Sequence, residues 1–130
     1  MINLLWVAAG GGLGASLRYI TSNIFRFFYP NLPFGTIFVN ILGSFLIGVF
    51  ISMLERGTQS ESFIKYFLII GLLGSYTTFS TFSFEVIELY NNKKFILSFV
   101  YIFVSILTCI FAAYVGYNIN KIEFWKKFLK

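Results

Sequence analysis

The sequence predicts an all-α integral membrane protein with four transmembrane helices. Of its 130 residues, 58% are hydrophobic and 12% are charged, whereas a soluble domain has about 25% charged residues. Residues 27–54, 66–84 and 95–120 carry no charged side chain. Each of these stretches is long enough for a helix to cross the hydrocarbon core, which takes about 20 residues. An ordinary soluble globule is therefore excluded.

We expect helices at about residues 3–28, 34–54, 63–90 and 94–119, within a single domain of residues 1–130. Short segments rich in proline or polar residues separate them, as is typical of turns between helices. The first helix contains two arginines, so it is either a span with embedded charge or a targeting peptide. Its uncharged start disfavours a secretory signal, which begins with basic residues.

The composition excludes several chemistries. The chain has no His and no Asp, and its single cysteine, Cys109, lies inside the last apolar stretch. Disulfides, metal sites built from thiolate or imidazole ligands, and hydrolysis with a His base are therefore excluded. The net charge of +5 arises outside the spans, which favours anionic lipid headgroups over nucleic acid as the partner. The basic tail contains Lys121, Lys126, Lys127 and Lys130.

The distribution of basic residues leaves the orientation of the spans open. Four spans put both termini on one side, together with Arg56 and Lys65, while Arg26, Lys93 and Lys94 lie on the other. Without the tail, one side has two basic residues and the other has three, a difference too small to orient the chain. The tail lysines favour a cytoplasmic C-terminus. The charge rule thus allows a weak single orientation or insertion both ways round.

Residues 71–78 (GLLGSYTT) predict a break in the middle of the third helix. Unwound backbone at membrane depth is tolerated only when it is buried in protein or lines a cavity. In such a break, carbonyls near Gly74 and Thr77 are available to bind a small cation, as in the discontinuous helices of transporters. The alternative is an ordinary helix whose small residues pack against a neighbour.

The last three predicted helices each carry polar residues three or four positions apart, on one face. A carboxylate within a span is costly, which makes Glu85 a candidate functional residue unless it lies near the interface. Interhelical hydrogen bonding explains a single Ser or Thr equally well, but stripes on several helices favour a polar track. The stripes are Thr36, Asn40 and Ser44; Thr78, Thr81 and Glu85; and Ser98, Tyr101, Ser105 and Thr108.

The residues of this track indicate an anion as the ligand. Hydroxyls and the Asn40 amide donate hydrogen bonds, and the edges of Phe79 and Phe82 carry the positive part of the ring quadrupole. Arg18 adds a positive charge, although it is equally able to snorkel to the surface, and the two phenylalanines alone are more simply explained by packing. Four helices enclose little space, so a pore is more readily formed with a second copy.

Three segments resemble the signature segments of the Fluc (CrcB) fluoride channel family. They are residues 10–19 (GGGLGASLRY), 35–45 (GTIFVNILGSF) and 71–85 (GLLGSYTTFSTFSFE). The resemblance covers all four helices, and TTFSTF is highly specific. It implies a non-enzymatic channel for passive fluoride efflux that relieves fluoride toxicity. It also implies an antiparallel, dual-topology homodimer in the cell membrane, with two pores and a structural Na⁺ at its centre.

The same resemblance implies roles for individual residues. Arg18 matches the vestibule arginine and Glu85 the family's glutamate, while the carbonyls of Gly74 and Thr77 match the Na⁺ ligands. Two residues depart from the family's pattern. The family's polar track continues with a hydroxyl at the position of Cys109, and Tyr76 is bulky for a residue in the break. The residues that match fluoride contacts are Asn40, Phe79, Phe82, Thr81, Tyr101 and Ser105.

Two other functions stay open. A small multidrug-type, proton-coupled transporter also has four spans and dual topology, but it needs a carboxylate on helix one, where this chain has Arg18. A non-conducting membrane assembly subunit would use the close-approach surfaces Gly10-xxx-Gly14 and Ala112-xxx-Gly116. Proton-dependent drug uptake would identify the first. Polar-stripe substitutions that change stability but not ion flux would identify the second.

Overall fold

The computed structural model describes residues 1–121, which form helices and connecting turns without a strand. The predicted helix boundaries lie within one residue of the observed ones. Three lysines of the basic tail lie outside the described residues, namely Lys126, Lys127 and Lys130. The helical elements are α1 (Ile2–Phe28), α2 (Phe34–Glu55), a π-helix (Phe63–Leu73), the single turn α3 (Gly74–Tyr76), α4 (Phe79–Asn91), α5 (Phe95–Asn118) and a 3₁₀ turn (Ile119–Lys121).

Three helical stretches are long and apolar enough to cross a membrane, namely Phe34–Glu55, Phe63–Asn91 and Phe95–Asn118. α1 is equally long but less apolar, because Arg18, Arg26 and several glycines dilute its hydrophobic residues. Large apolar side chains are exposed along the outer faces of the helices. A continuous exposed apolar surface of this kind suits contact with lipid. The fold is therefore that of an all-α integral membrane protein.

The third predicted helix is broken at two threonines. Thr77 has φ −80° and ψ 156°, and Thr78 has φ −152° and ψ 113°, so both are extended. The Thr77 N–H and Oγ1 both donate to the Leu73 carbonyl, while Thr78 Oγ1 accepts the Thr81 N–H at 3.2 Å and so caps α4. The predicted break is thus present, but it lies at the threonines and not at the glycines.

The first half of this span is π-helical rather than α-helical. Over Phe63–Leu73 the backbone takes one residue more per turn, and the Gly74 N–H still reaches the Ile69 carbonyl, five residues back. π-helical backbone is rare and mostly takes the form of single-turn bulges, which are frequent at functional sites. Hydrophobic spacing predicts a helix here but does not distinguish the two hydrogen-bond registers.

Glycines bring the helix backbones into direct contact. A Cβ at Gly14 would lie 2.1 Å from the Leu72 carbonyl oxygen, and a Cβ at Gly116 would lie 2.1 Å from the Phe45 carbonyl oxygen. Gly71 likewise packs against the backbone of α1. The close-approach surfaces expected on helix one and helix four are therefore present. They join α1 to the π-helix and α2 to α5, which fixes the positions of the two halves around the break.

Candidate functional site

Asn40, in the middle of α2, connects that helix to the break. Its Nδ2 donates to the Thr78 carbonyl at 3.1 Å, and its Oδ1 accepts the Thr78 N–H at 2.8 Å. The extended backbone of Thr78 thus obtains from a side chain the hydrogen bonds that a helix would have supplied. Because an amide has two N–H donors, one of them is left for another ligand.

The carbonyls predicted to bind a cation have lost their helical donors. In an unbroken α-helix the Thr78 N–H would bond to Gly74 O, and the Thr81 N–H would bond to Thr77 O. Here the first donates to Asn40 and the second to the Thr78 hydroxyl. Oxygen atoms released in this way are the groups with which broken membrane helices coordinate Na⁺.

Arg18 reaches the same break from α1. Its Nε donates to the Ser75 carbonyl at 3.0 Å, so the guanidinium is held by protein rather than extended toward the surface. This hydrogen bond occupies the Ser75 carbonyl, which lies between the Gly74 and Thr77 carbonyls in sequence. A charged side chain within a span is expected to pair with a carbonyl in this manner.

Glu85 lies at the meeting point of three helices. Its Oε1 accepts a hydrogen bond from Thr36 Oγ1 of α2 at 2.8 Å, and its Oε2 accepts one from the Tyr101 hydroxyl of α5 at 2.6 Å. Both donors are buried. The carboxylate is therefore held between helices, where these two hydroxyls fix its position.

Four of the six predicted fluoride-contacting residues line one cleft of about 330 Å³. Phe82 is almost fully buried, at 6% exposure, whereas Phe79 is 75% exposed at the open side of the cleft. Ser105 is 5% exposed, and its Oγ has no hydrogen-bond partner among the described residues. Buried hydroxyls are nearly always bonded, so an unpaired one at a cleft indicates a ligand position. The four residues are Asn40, Phe79, Phe82 and Ser105.

A second cavity of about 590 Å³ lies beside the first, between α1, α2 and α4, and we call it the vestibule. Arg18, Thr81 and Glu85 line it, so Thr81 belongs here and not to the cleft. Three further charged residues, which the sequence analysis did not assign, also line the vestibule: Arg26, Glu88 and Lys94. Arg26 belongs to α1, Glu88 to α4 and Lys94 to the turn before α5, so only the packing of these elements brings the three together.

Tyr101 separates the two cavities and lines neither. Its ring centroid lies 5.0 Å from that of Phe82, and its hydroxyl bonds to Glu85. The polar track of the sequence analysis is thus divided in a single chain. Tyr101 contacts Phe82, which lines the cleft, and Glu85, which lines the vestibule.

The stripe predicted on the fourth helix needs two corrections. Ser98 donates to the Val86 carbonyl and lines neither the cleft nor the vestibule, so it is outside the track. Thr108 donates to the Val104 carbonyl of its own helix and borders an apolar groove, so it leaves the track. Cys109, one residue further, lines the cleft instead. Both lie about one turn beyond Ser105, at spacings of three and four. The rotation of α5 against α2 decides which of them faces inward.

Tyr76, unexpected within the break, is buried with its hydroxyl 3.4 Å from Thr21 Oγ1.

A model of the family described as CrcB-like protein, Camphor Resistance (CrcB), matches residues 5–117. The chain belongs to this family. As a CrcB-like protein with several apolar spanning helices, it is a multi-pass protein of the cell membrane.

Several CrcB-like relatives carry the name fluoride-specific ion channel FluC. The relative from Shewanella halifaxensis is 43% identical over 89% of this chain and 94% of its own length. That from Campylobacter jejuni is 40% identical over 93% of this chain and 100% of its own. The relative from Flavobacterium psychrophilum is 38% identical over 93% and 98%. By name, these relatives are ion channels rather than enzymes.

Proposed function

We propose that this CrcB-like protein is a fluoride-selective channel that lets fluoride leave the cell passively and so relieves fluoride toxicity. The name shared by its relatives supports this function. The main structural support is the cleft, in which the unpaired hydroxyl of buried Ser105 lies near the amide of Asn40 and the rings of Phe79 and Phe82.

The chemistry of the cleft suits a small anion. Fluoride is strongly hydrated, so it enters a narrow path only where donors replace its water. Ser105 has a free O–H, Asn40 has one N–H left after its bond to Thr78, and the phenylalanine edges are weakly positive. Chloride is larger and accepts weaker hydrogen bonds, so it gains less from the same donors.

We propose that the vestibule leads to the cleft past Tyr101. Arg18 supplies positive charge in the vestibule, and Thr81 supplies a hydroxyl. The Tyr101 O–H is bonded to Glu85, so it must leave the carboxylate before it donates to fluoride. Glu85 thus holds the Tyr101 donor between transits.

We further propose that all four long helices of the single domain cross the membrane and that two copies associate antiparallel, with two pores per dimer. Phe79 and Gly74 are both exposed, although each belongs to a predicted ion site. A second copy packed against Phe79 would close the cleft. The nearly balanced basic residues of the two sides are compatible with insertion in both orientations.

A structural Na⁺ at the dimer centre forms part of this proposal. The Gly74 and Thr77 carbonyls fit it, since the amides that would bond to them in a helix donate elsewhere. The carbonyls of both subunits would hold the ion, which would supply a fixed positive charge between the two pores. This chain's residues contribute backbone oxygens only.

Fluoride release from liposomes tests the proposed function. Vesicles loaded with fluoride should release it electrogenically when they contain the protein, and vesicles loaded with chloride should retain chloride. Phe79→Ile should lower fluoride efflux by about tenfold or more, equivalent to about 1.4 kcal/mol. Phe103→Ile is the matched control, because Phe103 is also exposed but lines neither the cleft nor the vestibule. Retention of fluoride by wild-type vesicles would refute the function.

Reporter fusions at the C-terminus test the proposed arrangement. Dual topology predicts reporter signals from both sides of the membrane. A signal from one side only would exclude the antiparallel dimer while leaving fluoride conduction to be judged by the efflux measurement.

A further inference from the structure

Cys109 is a polar group of the cleft that the proposed donor set does not use. It is the only cysteine of the chain, and it is half-buried on the lining formed by α2, α4 and α5. Ser44 of α2 is its polar neighbour. Thiols in apolar cores are ordinarily inert packing residues. This one differs because it borders a space.

A second observation, independent of the thiol, points to a ligand in this space. The Ser105 side chain, one helical turn from Cys109, lines the same cleft and is 5% exposed, and its Oγ has no partner within residues 1–121. The thiol and the unpaired hydroxyl therefore face the cleft from successive turns of α5. A group bound to the sulfur would occupy the part of the cleft next to the hydroxyl.

We propose that Cys109 is a binding site for mercury(II) within the ion path, and that occupation of this site blocks the channel. This inference rests on the proposed fluoride conduction for its effect on flux, but not for the binding itself. One thiol is too few for a structural metal site, which takes about four ligands. It is sufficient for a thiophilic metal that bonds covalently to a single sulfur.

The reaction is a ligand exchange without oxidation or reduction. Mercury(II) dichloride is neutral, so it enters an anion path or the lipid without the cost of a buried charge. The S–H bond of Cys109 and one Hg–Cl bond break, and an S–Hg bond forms. The products are the Cys109–S–HgCl adduct, a proton and a chloride ion.

The experiment combines mass and flux on the whole protein in liposomes. After mercury(II) dichloride treatment and removal of excess reagent, we expect one mercury per wild-type chain and at least a tenfold fall in fluoride efflux. Excess 2-mercaptoethanol should restore both the mass and the efflux. Cys109→Ser should bind no mercury and keep its efflux in the presence of the metal. If the serine variant does not fold, Cys109→Ala and the thiol reversal in the wild type serve the same purpose.

A displaced cysteine provides the matched control. The double variant Cys109→Ser, Phe103→Cys places the thiol on the exposed outer side of α5, away from the cleft. It should bind one mercury, and its fluoride efflux should be the same before and after mercury treatment. Equal inhibition of this control, inhibition of Cys109→Ser, or a wild-type adduct with undiminished efflux would each overturn the proposal.

Failure of the proposed function is separable from failure of this site. If untreated wild-type vesicles retain fluoride, the channel function is refuted, and mercury uptake still decides the binding site. In that case, slower mercury binding in fluoride than in nitrate medium supports a shared cleft. Absence of the adduct from the wild-type chain overturns the site.

Discussion

Two glycines of this protein leave equally little room for a Cβ, but they face different kinds of atom. At Gly14, on the contact of α1 with the π-helix, a Cβ would lie 2.1 Å from the Leu72 carbonyl oxygen. At Gly43, on the contact of α2 with the break, a Cβ would lie 2.1 Å from Thr77 Cγ2. A backbone oxygen moves only with its helix, whereas a methyl group can be removed. The first contact therefore fixes the architecture, and the second positions a side chain at the break.

The largest effect is expected at the backbone contact. Gly14→Ala should lower the unfolding free energy by about 3 kcal/mol or more, since overpacking typically costs 1–3 kcal/mol and here the backbone must shift. Thermal unfolding in detergent measures the change. Gly12→Ala on the same helix has nothing within 4 Å of its Cβ and should leave stability nearly unchanged. Equal stability of Gly14→Ala and Gly12→Ala would show that the contact of Gly14 with the Leu72 carbonyl does not fix the architecture.

Loss of the Asn40 side chain should give the next largest effect. Asn40→Ala leaves the Thr78 N–H and carbonyl without their partners, and an unsatisfied buried polar group costs about 1–3 kcal/mol. We expect a lower unfolding temperature together with strongly reduced fluoride efflux. Asn118→Ala removes an exposed bond to the Tyr114 carbonyl and should change neither quantity. Wild-type efflux from Asn40→Ala would show that the break does not depend on α2.

A smaller effect, and one that can be reversed, is expected at Gly43. Gly43→Ala should destabilise the protein by about 1–3 kcal/mol, because the new methyl meets that of Thr77. Adding Thr77→Ser should restore most of the loss, since serine lacks the methyl but keeps the hydroxyl that donates to Leu73 O. A double-mutant cycle on unfolding free energies measures the coupling. Strictly additive effects would contradict the assigned contact.

The smallest effect is expected in the vestibule, where charges act through space and not through packing. Arg26→Gln and Lys94→Gln should each lower fluoride efflux a few-fold at low ionic strength, and the loss should disappear at high salt because exposed charges are screened. Lys93→Gln is the control, since Lys93 adjoins Lys94 but does not line the vestibule. A loss that persists at high salt would indicate a direct binding role instead of attraction.

The sequence predicts those parts of the fold that depend on local composition. Uncharged stretches give the helix boundaries, and the small residues of α1 give its contact surface. The position of the break at Thr77 and Thr78 could not be derived in this way, because it depends on hydrogen bonds from Asn40, 38 residues away. The π-helical register is equally hidden, since it changes hydrogen bonds while the apolar pattern stays helical.

The candidate site, like the fold, is predicted by the sequence only in part. Helical spacing and the family resemblance bring Asn40, Phe79, Phe82 and Ser105 together, and one cleft contains all four. The division of the track at Tyr101 follows from its bond to Glu85, which no spacing rule indicates. A choice between neighbouring residues, as between Thr108 and Cys109, depends on helix rotation and therefore on the packing of the entire bundle.

The two extended threonines also divide one helix dipole into two. A continuous helix would carry its partial charges, about half an elementary charge each, only at its ends near the membrane surfaces. The break adds a positive pole at the start of α4, beside Phe79, and a negative pole at the end of α3, at Tyr76. Attraction for an anion and for a cation thus arises within a few ångströms from backbone alone, in a bilayer whose low dielectric strengthens both.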